Sequence, residues 1–280
     1  MSMEIVMLLI SFLVAIVSGT IIIPILRKLK VGQIERDDGP QSHLKKQGTP
    51  TMGGIIIIIT MIISVIGIYI YLILKGEMEI ANRLIPLLVI TIGFGIIGFI
   101  DDFKKLVLKN TKGLKPSYKM IGLLIISVAY VIFLAQGINI GTDTYIPIAK
   151  IYITMPIYIY IPFAVLVILA TTNAINLTDG IDGLSSSVSA IIITCLTIIG
   201  INQALPEVSI FGSITIGAIL GFLMFNLHPA KVFMGDTRIF ANWRSNIWVS
   251  IIFKNAFIII SDSFSTCIRD IICNDTSGIL

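Results

Sequence analysis

The chain has 280 residues, of which 56% are hydrophobic and 13% charged, and its formal net charge is +4. Soluble domains carry about a quarter charged residues, so this composition argues against a soluble globular protein. The mean hydropathy of +0.98 favours an integral membrane protein instead. The small net charge gives no indication of a nucleic-acid partner, and we expect none. Three scattered cysteines (Cys195, Cys267 and Cys273) indicate neither a disulfide framework nor a zinc site.

Seven apolar segments follow one another along the chain, each about 17 to 24 residues long, which is enough for a helix to cross a hydrocarbon core of about 30 Å. Helices are expected because a backbone in lipid must satisfy its own hydrogen bonds. We therefore predict an all-α polytopic membrane protein with about seven transmembrane helices. The predicted spans are 4–26, 51–74, 84–100, 120–136, 156–172, 185–201 and 208–226.

The first apolar segment begins close to the N-terminus, where a cleaved signal peptide would lie. No signal-peptide cleavage pattern follows the first segment, so we expect that segment to remain as an anchor.

The stretch 141–163 has the alternating residue pattern of β-strands, is rich in isoleucine and tyrosine, and contains three prolines. This pattern indicates a short β-hairpin at the membrane surface, with Tyr145, Tyr152, Tyr158 and Tyr160 in the interfacial belt.

The distribution of lysine and arginine predicts the orientation. These residues concentrate in the first and third loops, at 27–46 and 104–119, and are scarce in the second and fourth. By the positive-inside rule, the first and third loops are cytoplasmic and the N-terminus lies outside. The polar segments of the chain then all fall on cytoplasmic loops, which indicates one composite site at that membrane face.

Five aspartates belong to these polar segments: Asp101, Asp102, Asp179, Asp182 and Asp236. Carboxylates near a hydrocarbon boundary repel one another and are costly to desolvate, and a divalent cation would relieve both costs. Mg²⁺ favours one or two carboxylates together with substrate phosphate oxygens. The neighbouring lysines suit a polyanionic substrate such as a nucleoside diphosphate. The residues alone therefore indicate metal-assisted phosphoryl transfer at a membrane surface.

Simpler interpretations remain open for each segment taken alone. Asp101 and Asp102 could be solvated charges that end the third span, and Asp179 and Asp182 could cap a helix. Phe233 and Met234 could pack at the membrane interface, and the lysines could reflect only the positive-inside bias. What weakens these alternatives is that four polar segments share one face.

Four segments, taken in order, closely resemble the phospho-N-acetylmuramoyl-pentapeptide transferase family, a branch of the polyprenyl-phosphate N-acetylhexosamine-1-phosphate transferases. They are "KKQGTPTMGG" (45–54), "GFIDDFKKLVLKNTKGLKPSYK" (98–119), "NAINLTDGIDGL" (173–184) and "FNLHPAKVFMGDT" (225–237). The resemblance covers about residues 1–237 and implies one membrane-embedded transferase domain over that range. The "GTPTMGG" sequence is similar to the muramoyl branch rather than to the N-acetylglucosamine branch.

The resemblance implies transfer of phospho-MurNAc-pentapeptide from UDP to undecaprenyl phosphate with Mg²⁺, forming lipid I and UMP for peptidoglycan synthesis at the bacterial plasma membrane. It also implies roles for individual residues, and a homodimer is an open possibility. Asp101, Asp102 and Asp236 would be catalytic, and Asp236 would be the Mg²⁺ ligand. Lys46, Asp182 and Phe233 would line the uridine pocket, Asn173, Asn176 and Asp179 would be polar members of the same cleft, and Lys119 would face a phosphate.

The resemblance stops after Thr237, where the family continues with "GDTGSL", further spans and a histidine-rich loop. Residues 238–280 contain no histidine and no glycine before Gly278. Read one base later, the codons for "RIFANWRSNIW" are compatible with Gly-Ser-Leu-Gln-Ile-Gly-Gly-Ala-Ile-Ser-Gly, which fits the family. We therefore expect a frameshifted, poorly folded tail at 238–280 and little or no transferase activity in the chain as written.

Two other functions remain as alternatives. A sibling transferase would act on UDP-N-acetylglucosamine, and a substrate assay separates it from the muramoyl enzyme. A transporter would place its charges near the bilayer midplane between broken helices. Here the charges gather at one face, which argues against transport.

Overall fold

The computed structural model describes residues 2–29, 49–106, 113–133, 143–146, 151–177 and 182–235, with only the backbone described at 143–146, 151–153 and 173–177. Its helices are α1 (Met3–Lys28), α2 (Gly54–Leu74), α3 (Met78–Leu106), α4 (Pro116–Ile132), α5 (Ile157–Leu177), α6 (Leu184–Asn202) and α7 (Pro206–Asn226). Each of the seven predicted spans therefore overlaps one of these helices, and the predicted helical membrane class is confirmed. Five of the helices (α1, α2, α3, α6 and α7) are long and apolar enough to cross a membrane, while the apolar runs in α4 and α5 are shorter.

The predicted hairpin is also present. Strand β1 (Asp143–Ile146) pairs antiparallel with β2 (Ile151–Thr154), with Asp143 opposite Thr154 and Ile146 opposite Ile151. The expectation that Tyr160 lies in an exposed interfacial belt is wrong, because the side chain is fully buried inside the bundle. It belongs to α5, which packs against α4, and the helical periodicity turns it inward while Tyr158 remains exposed.

Helix α7 is the centre of the bundle and packs against α1, α2, α3 and α6. Small residues allow its close contact with α1. Gly217 and Gly221 stand four residues apart, and a Cβ built on either glycine would collide with Ser11 or Ala15 of α1. This small-residue spacing brings transmembrane helix backbones together, and it fixes α1 against α7.

The remaining helices extend from this centre. Helix α2 packs against α1 and α7, α3 packs against α2 and α4, and α4 packs against α5. Because consecutive helices alternate in direction, the ends of α3, α5 and α7 and the starts of α2, α4 and α6 lie at the same end of the bundle. This end carries every described part of the four polar segments.

Candidate active site

Asp101 lies in the last turns of α3 and is only 2% exposed. Its carboxylate accepts hydrogen bonds from three groups. Lys105 Nζ donates at 3.0 Å and Lys119 Nζ at 3.2 Å, both to Oδ2, and the backbone N–H of Leu114 donates to Oδ1 at 2.7 Å. Lys105 is one helical turn beyond Asp101, whereas Leu114 lies just before α4 and Lys119 in its first turn. Asp101 therefore attaches the end of α3 to the start of α4 and holds two cations beside it.

Asp102 follows on α3 and is 4% exposed, but it faces a different segment. Gly235 lies so close that a Cβ built on it would be 2.7 Å from Oδ2 of Asp102 and 2.8 Å from the backbone N of Met52. Gly235 also has a φ of +77°, which L side chains rarely adopt. Glycine at this position thus permits the segment after α7 to approach both Asp102 and the start of α2.

The segments before α2 and after α7 are joined by backbone hydrogen bonds. The N–H of Phe233 donates to the carbonyl of Pro50 at 2.8 Å, and the N–H groups of Gly53 and Gly54 donate to the carbonyls of Phe233 and Met234 at 2.8 and 3.1 Å. Between them Met52 has a φ of 69°, a left-handed conformation that costs a non-glycine residue about 1–3 kcal/mol. Such strain persists where neighbouring contacts over-determine the backbone, as these hydrogen bonds do.

A buried polar pair fixes the other end of the segment after α7. Ser186 Oγ of α6 donates to Asn226 Oδ1 at 3.0 Å, and Asn226 Nδ2 donates to the carbonyl of Val232 at 3.0 Å. Since all three residues are buried, these hydrogen bonds link the start of α6 to the segment that carries Phe233.

Asp182 stands just before α6 and has a side chain only 7% exposed. Its Oδ2 lies 3.1 Å from Nδ1 of His228, whose own side chain is 84% exposed. The N-cap position of α6 is Gly183, and no side chain caps the helix there. Asp182 thus contacts the segment after α7 rather than capping α6.

These contacts decide several of the simpler alternatives. Asp101 and Asp102 are buried, so they are not solvated charges at a helix end. Lys119 pairs with Asp101, so this lysine does more than bias the orientation. Phe233 is half-buried and lies in the segment that joins the start of α2.

The structure places some of the predicted site residues and leaves others outside its description. It brings Asp101 together with Lys119, and it puts Asp182 and Asp102 against the segment that contains Phe233. Asn173 and Asn176 lie in the last turns of α5, at the same end of the bundle. The predicted residues Lys46, Asp179 and Asp236 lie outside the described residues. Within the described ranges, no group of three His, Cys, Asp or Glu side chains could hold a metal ion.

Comparison with known proteins gives the family. The sequence model of glycosyl transferase family 4 matches residues 84–240, and signature 1 of phospho-N-acetylmuramoyl-pentapeptide-transferase matches residues 46–58. The curated phospho-N-acetylmuramoyl-pentapeptide-transferase of Halalkalibacterium halodurans is 42% identical over 231 residues, which are 82% of this chain and 69% of that protein. The chain belongs to the phospho-N-acetylmuramoyl-pentapeptide transferase family.

Other members of the family are similar at comparable levels. The transferase of Clostridium botulinum strain Eklund 17B is 43% identical over 253 residues, covering 90% of this chain and 75% of the relative. That of Bacillus subtilis is 39% identical over 254 residues, covering 90% and 76%. These alignments extend beyond residue 240, where the match to glycosyl transferase family 4 ends. Membership makes the protein a multi-pass bacterial membrane transferase of peptidoglycan synthesis.

Three residues that contact the candidate site are not among the site residues predicted from the sequence. Lys105 is one of several lysines near the aspartates, and its position four residues after Asp101 is the signal that predicts an ion pair on a helix. Asn226 is a lone amide at the end of an apolar helix, and this isolated polar position could have identified it as a site residue. His228 had no histidine partner in the sequence, and nothing there indicated its contact with Asp182.

Proposed function

We propose that this transferase moves phospho-MurNAc-pentapeptide from UDP to undecaprenyl phosphate and produces lipid I and UMP. The observation that carries the proposal is the meeting of the four family segments at one end of the bundle, through the contacts of Asp101, Asp102, Asp182 and Gly235. A lipid acceptor and a soluble nucleotide can both reach a site that lies at a helix-bundle end. We assign this end to the cytoplasmic face, with the N-terminus outside, from the lysine and arginine distribution.

The two adjacent aspartates take different roles in this proposal. Asp101 fixes Lys105 and Lys119 beside it, so it aligns cations for the diphosphate of the nucleotide. Asp102 faces Gly235, the residue before Asp236. We therefore assign Asp102 to the part of the site that would hold the lipid phosphate acceptor and the metal ion. Both carboxylates are buried, and their preorganisation would strengthen electrostatic stabilisation of the transferred phosphoryl group.

The residues present fit a hard divalent cation. Asp236 directly follows Gly235, whose missing side chain lets this segment approach the Asp102 carboxylate closely, and oxygen ligands of this kind suit Mg²⁺. Asp236 would hold the ion, with Asp102 beside it. When bound, Mg²⁺ would neutralise part of the charge on the diphosphate.

The nucleotide sugar is assigned to the remaining site residues. Phe233 would stack on uracil, and Lys46 and Asp182 would line the same pocket; the contact of Asp182 with His228 fixes its carboxylate next to the segment of Phe233. Asn173, Asn176 and Asp179 would contribute polar groups to the cleft, and Lys119 would contact a phosphate.

The proposed chemistry is a direct displacement. An oxygen of the lipid phosphate forms a bond to the β-phosphorus of the nucleotide sugar, and the bond from that phosphorus to the bridging oxygen breaks, so that UMP leaves with the electron pair. A phosphate monoester has a second pKa near about 6 and is largely dianionic at neutral pH, so it needs little help from a base. The lysines beside Asp101 would reduce the repulsion between the two anions.

We further propose that residues 238–280 arise from one inserted base after the Thr237 codon, and that the chain as written has little transferase activity. Sequencing the gene at this codon tests the first part. An uninterrupted run of bases that cannot encode the family pattern in the shifted frame would refute it.

A radiolabel assay tests the function. The chain as written and a frame-restored version receive labelled UDP-MurNAc-pentapeptide and undecaprenyl phosphate, with and without Mg²⁺. We expect the frame-restored protein to move label into the lipid fraction only with Mg²⁺, and to leave labelled UDP-N-acetylglucosamine unused. Absence of lipid I in all samples would contradict the function, and use of UDP-N-acetylglucosamine alone would identify the sibling transferase. Full activity of the chain as written would contradict only the proposal for the tail.

A further inference from the structure

A groove with a volume of about 790 Å³ lies between α1 and α2, far from the candidate active site. Its lining includes Lys75, directly after the last residue of α2, and we call this end of the groove its mouth. The candidate active site contacts the first residues of the same helix. A helix of this length separates its two ends by about 30 Å, so the groove belongs to the opposite end of the bundle. The volume is in the range of about 300–1,000 Å³ typical of small-molecule sites.

Small residues of α2 create the groove. A Cβ built on Gly67 would meet no atom within 4 Å, so this position lacks the side chain that would close the space. Apart from Ser64, the other walls are mainly apolar. They include Met3, Met7 and Ile10 from α1, and Ile63, Ile68 and Tyr71 from α2. Elsewhere α1 is in close contact with α7 through glycines, whereas here it leaves an open, hydrophobic channel beside α2.

The dimensions of the groove match one leaflet of a bilayer. On α2 the lining residues run from Ile63 to Lys75, a separation of twelve residues that corresponds to about 18 Å along a helix. The hydrocarbon of one leaflet is about 15 Å deep, half of the full core. A single acyl chain that enters at the mouth would therefore extend through most of the groove.

The charge at the mouth selects the headgroup. Lys75 is the one charged side chain among the described residues that line the groove, and its Nζ lies 5.0 Å from the ring centre of Tyr71. Glu77 is the nearest acidic neighbour along the chain. A lysine and an aromatic ring at a membrane interface attract anionic phosphate groups, which fits a lipid with a net negative headgroup. We propose that this groove binds one acyl chain of an anionic phospholipid, with the lipid phosphate beside Lys75.

Native mass spectrometry of the full chain in detergent tests the proposal, with phosphatidylglycerol and phosphatidylcholine as the probes. We expect one phosphatidylglycerol to bind each chain more tightly than phosphatidylcholine. Lys75→Gln should weaken phosphatidylglycerol binding about fivefold, to near the level of phosphatidylcholine. Gly67→Phe should abolish binding of both lipids, because the ring would fill the channel. Ile66→Phe is the matched control, since Ile66 is exposed on the same turn and does not line the groove, and it should bind phosphatidylglycerol as the unchanged chain does.

The outcomes separate lipid from the other occupants. Equal binding of the two lipids, or an unchanged phosphatidylglycerol affinity in Lys75→Gln, would overturn the assignment of the headgroup. Binding retained by Gly67→Phe would overturn the location. Absence of any bound lipid would also overturn the proposal, and dimers of the chain in that case would indicate that a second copy covers the groove. Lys75 is at the surface, so Lys75→Gln keeps the test decisive if Gly67→Phe does not fold.

Discussion

Replacing Gly235 with alanine should damage the transferase far more than the same replacement at Gly76. Both glycines have positive φ values, +77° and +82°, so a new Cβ strains the backbone by a similar amount, about 1–2 kcal/mol. The surroundings differ, because a Cβ on Gly76 would meet nothing within 4 Å. Gly76 is also at the opposite end of the bundle from the candidate active site. It is therefore a control for backbone strain alone.

The size of the expected loss in transfer rate follows from the distances at Gly235. An alanine Cβ would lie 2.7 Å from Oδ2 of Asp102 and 2.8 Å from the backbone N of Met52, where ordinary contacts are about 3.5 Å. One of these groups must therefore move by several tenths of an ångström or more. A displacement of about 1 Å at a reacting group can lower the rate about 100-fold. We expect a loss of that order in Gly235→Ala and little change in Gly76→Ala.

The assay measures the initial rate of lipid I formation by frame-restored protein, together with thermal unfolding of both variants. We expect both variants to unfold at lower temperatures, Gly235→Ala at the lower of the two because of its close contacts, while only Gly235→Ala loses transfer at a temperature where both are folded. Equal rates in the two variants would refute the reasoning, because they would show that the contact of Gly235 with Asp102 does not matter to catalysis. A loss of activity in both, in proportion to lost stability, would refute it as well.

Four further changes have defined outcomes. Lys119→Met should lower transfer by about 10- to 100-fold through a higher KM for the nucleotide sugar, as expected for loss of a charge-assisted hydrogen bond. Lys115→Met, at an exposed lysine, should leave transfer unchanged. Equal KM values in the two variants would contradict the role of Lys119. Asn226→Ala removes the donor to the buried Val232 carbonyl and should lower the free energy of unfolding by about 1–3 kcal/mol, measured by denaturant titration. Gly221→Leu should lower the unfolding temperature because its Cβ would collide with α1, whereas Gly67→Leu, at an open position, should not. A chelator should stop the incorporation of label into lipid, and added Mg²⁺ should restore it; transfer that continues in the chelator would exclude the metal role.

The sequence was sufficient to place the membrane helices, because long apolar runs have few other structural solutions. It set the helix ends less well. The predicted third span starts at 84, whereas α3 begins at Met78 and ends at Leu106. Hydropathy reports the length inside hydrocarbon, and a helix can continue beyond it with polar residues such as Glu79 and Arg83, which pair there at 2.6 Å.

The site was predictable as a location but not as a set of contacts. Placing the polar segments on one face required only the count of spans, and the described parts of all four lie at one end of the bundle. The contact of Asp182 with His228 depends on how the segment after α7 folds back, over a separation of 46 residues. The hydrogen bonds of Phe233 with Pro50 and Gly53 likewise join segments far apart in the sequence. Such long-range pairings leave no local pattern to read.

The paired aspartates acquire two functions from the geometry of the helix. Successive residues on an α-helix point about 100° apart, so neighbouring side chains must face different surroundings. Asp101 therefore turns towards the start of α4 and binds Lys119, whereas Asp102 turns towards the segment after α7 and approaches Gly235. A single aspartate at the end of α3 could contact only one of these segments. The pair thus joins the phosphate-facing lysine and the segment of Asp236 across one helix end, which explains why two adjacent carboxylates are buried there despite their cost in an apolar bundle.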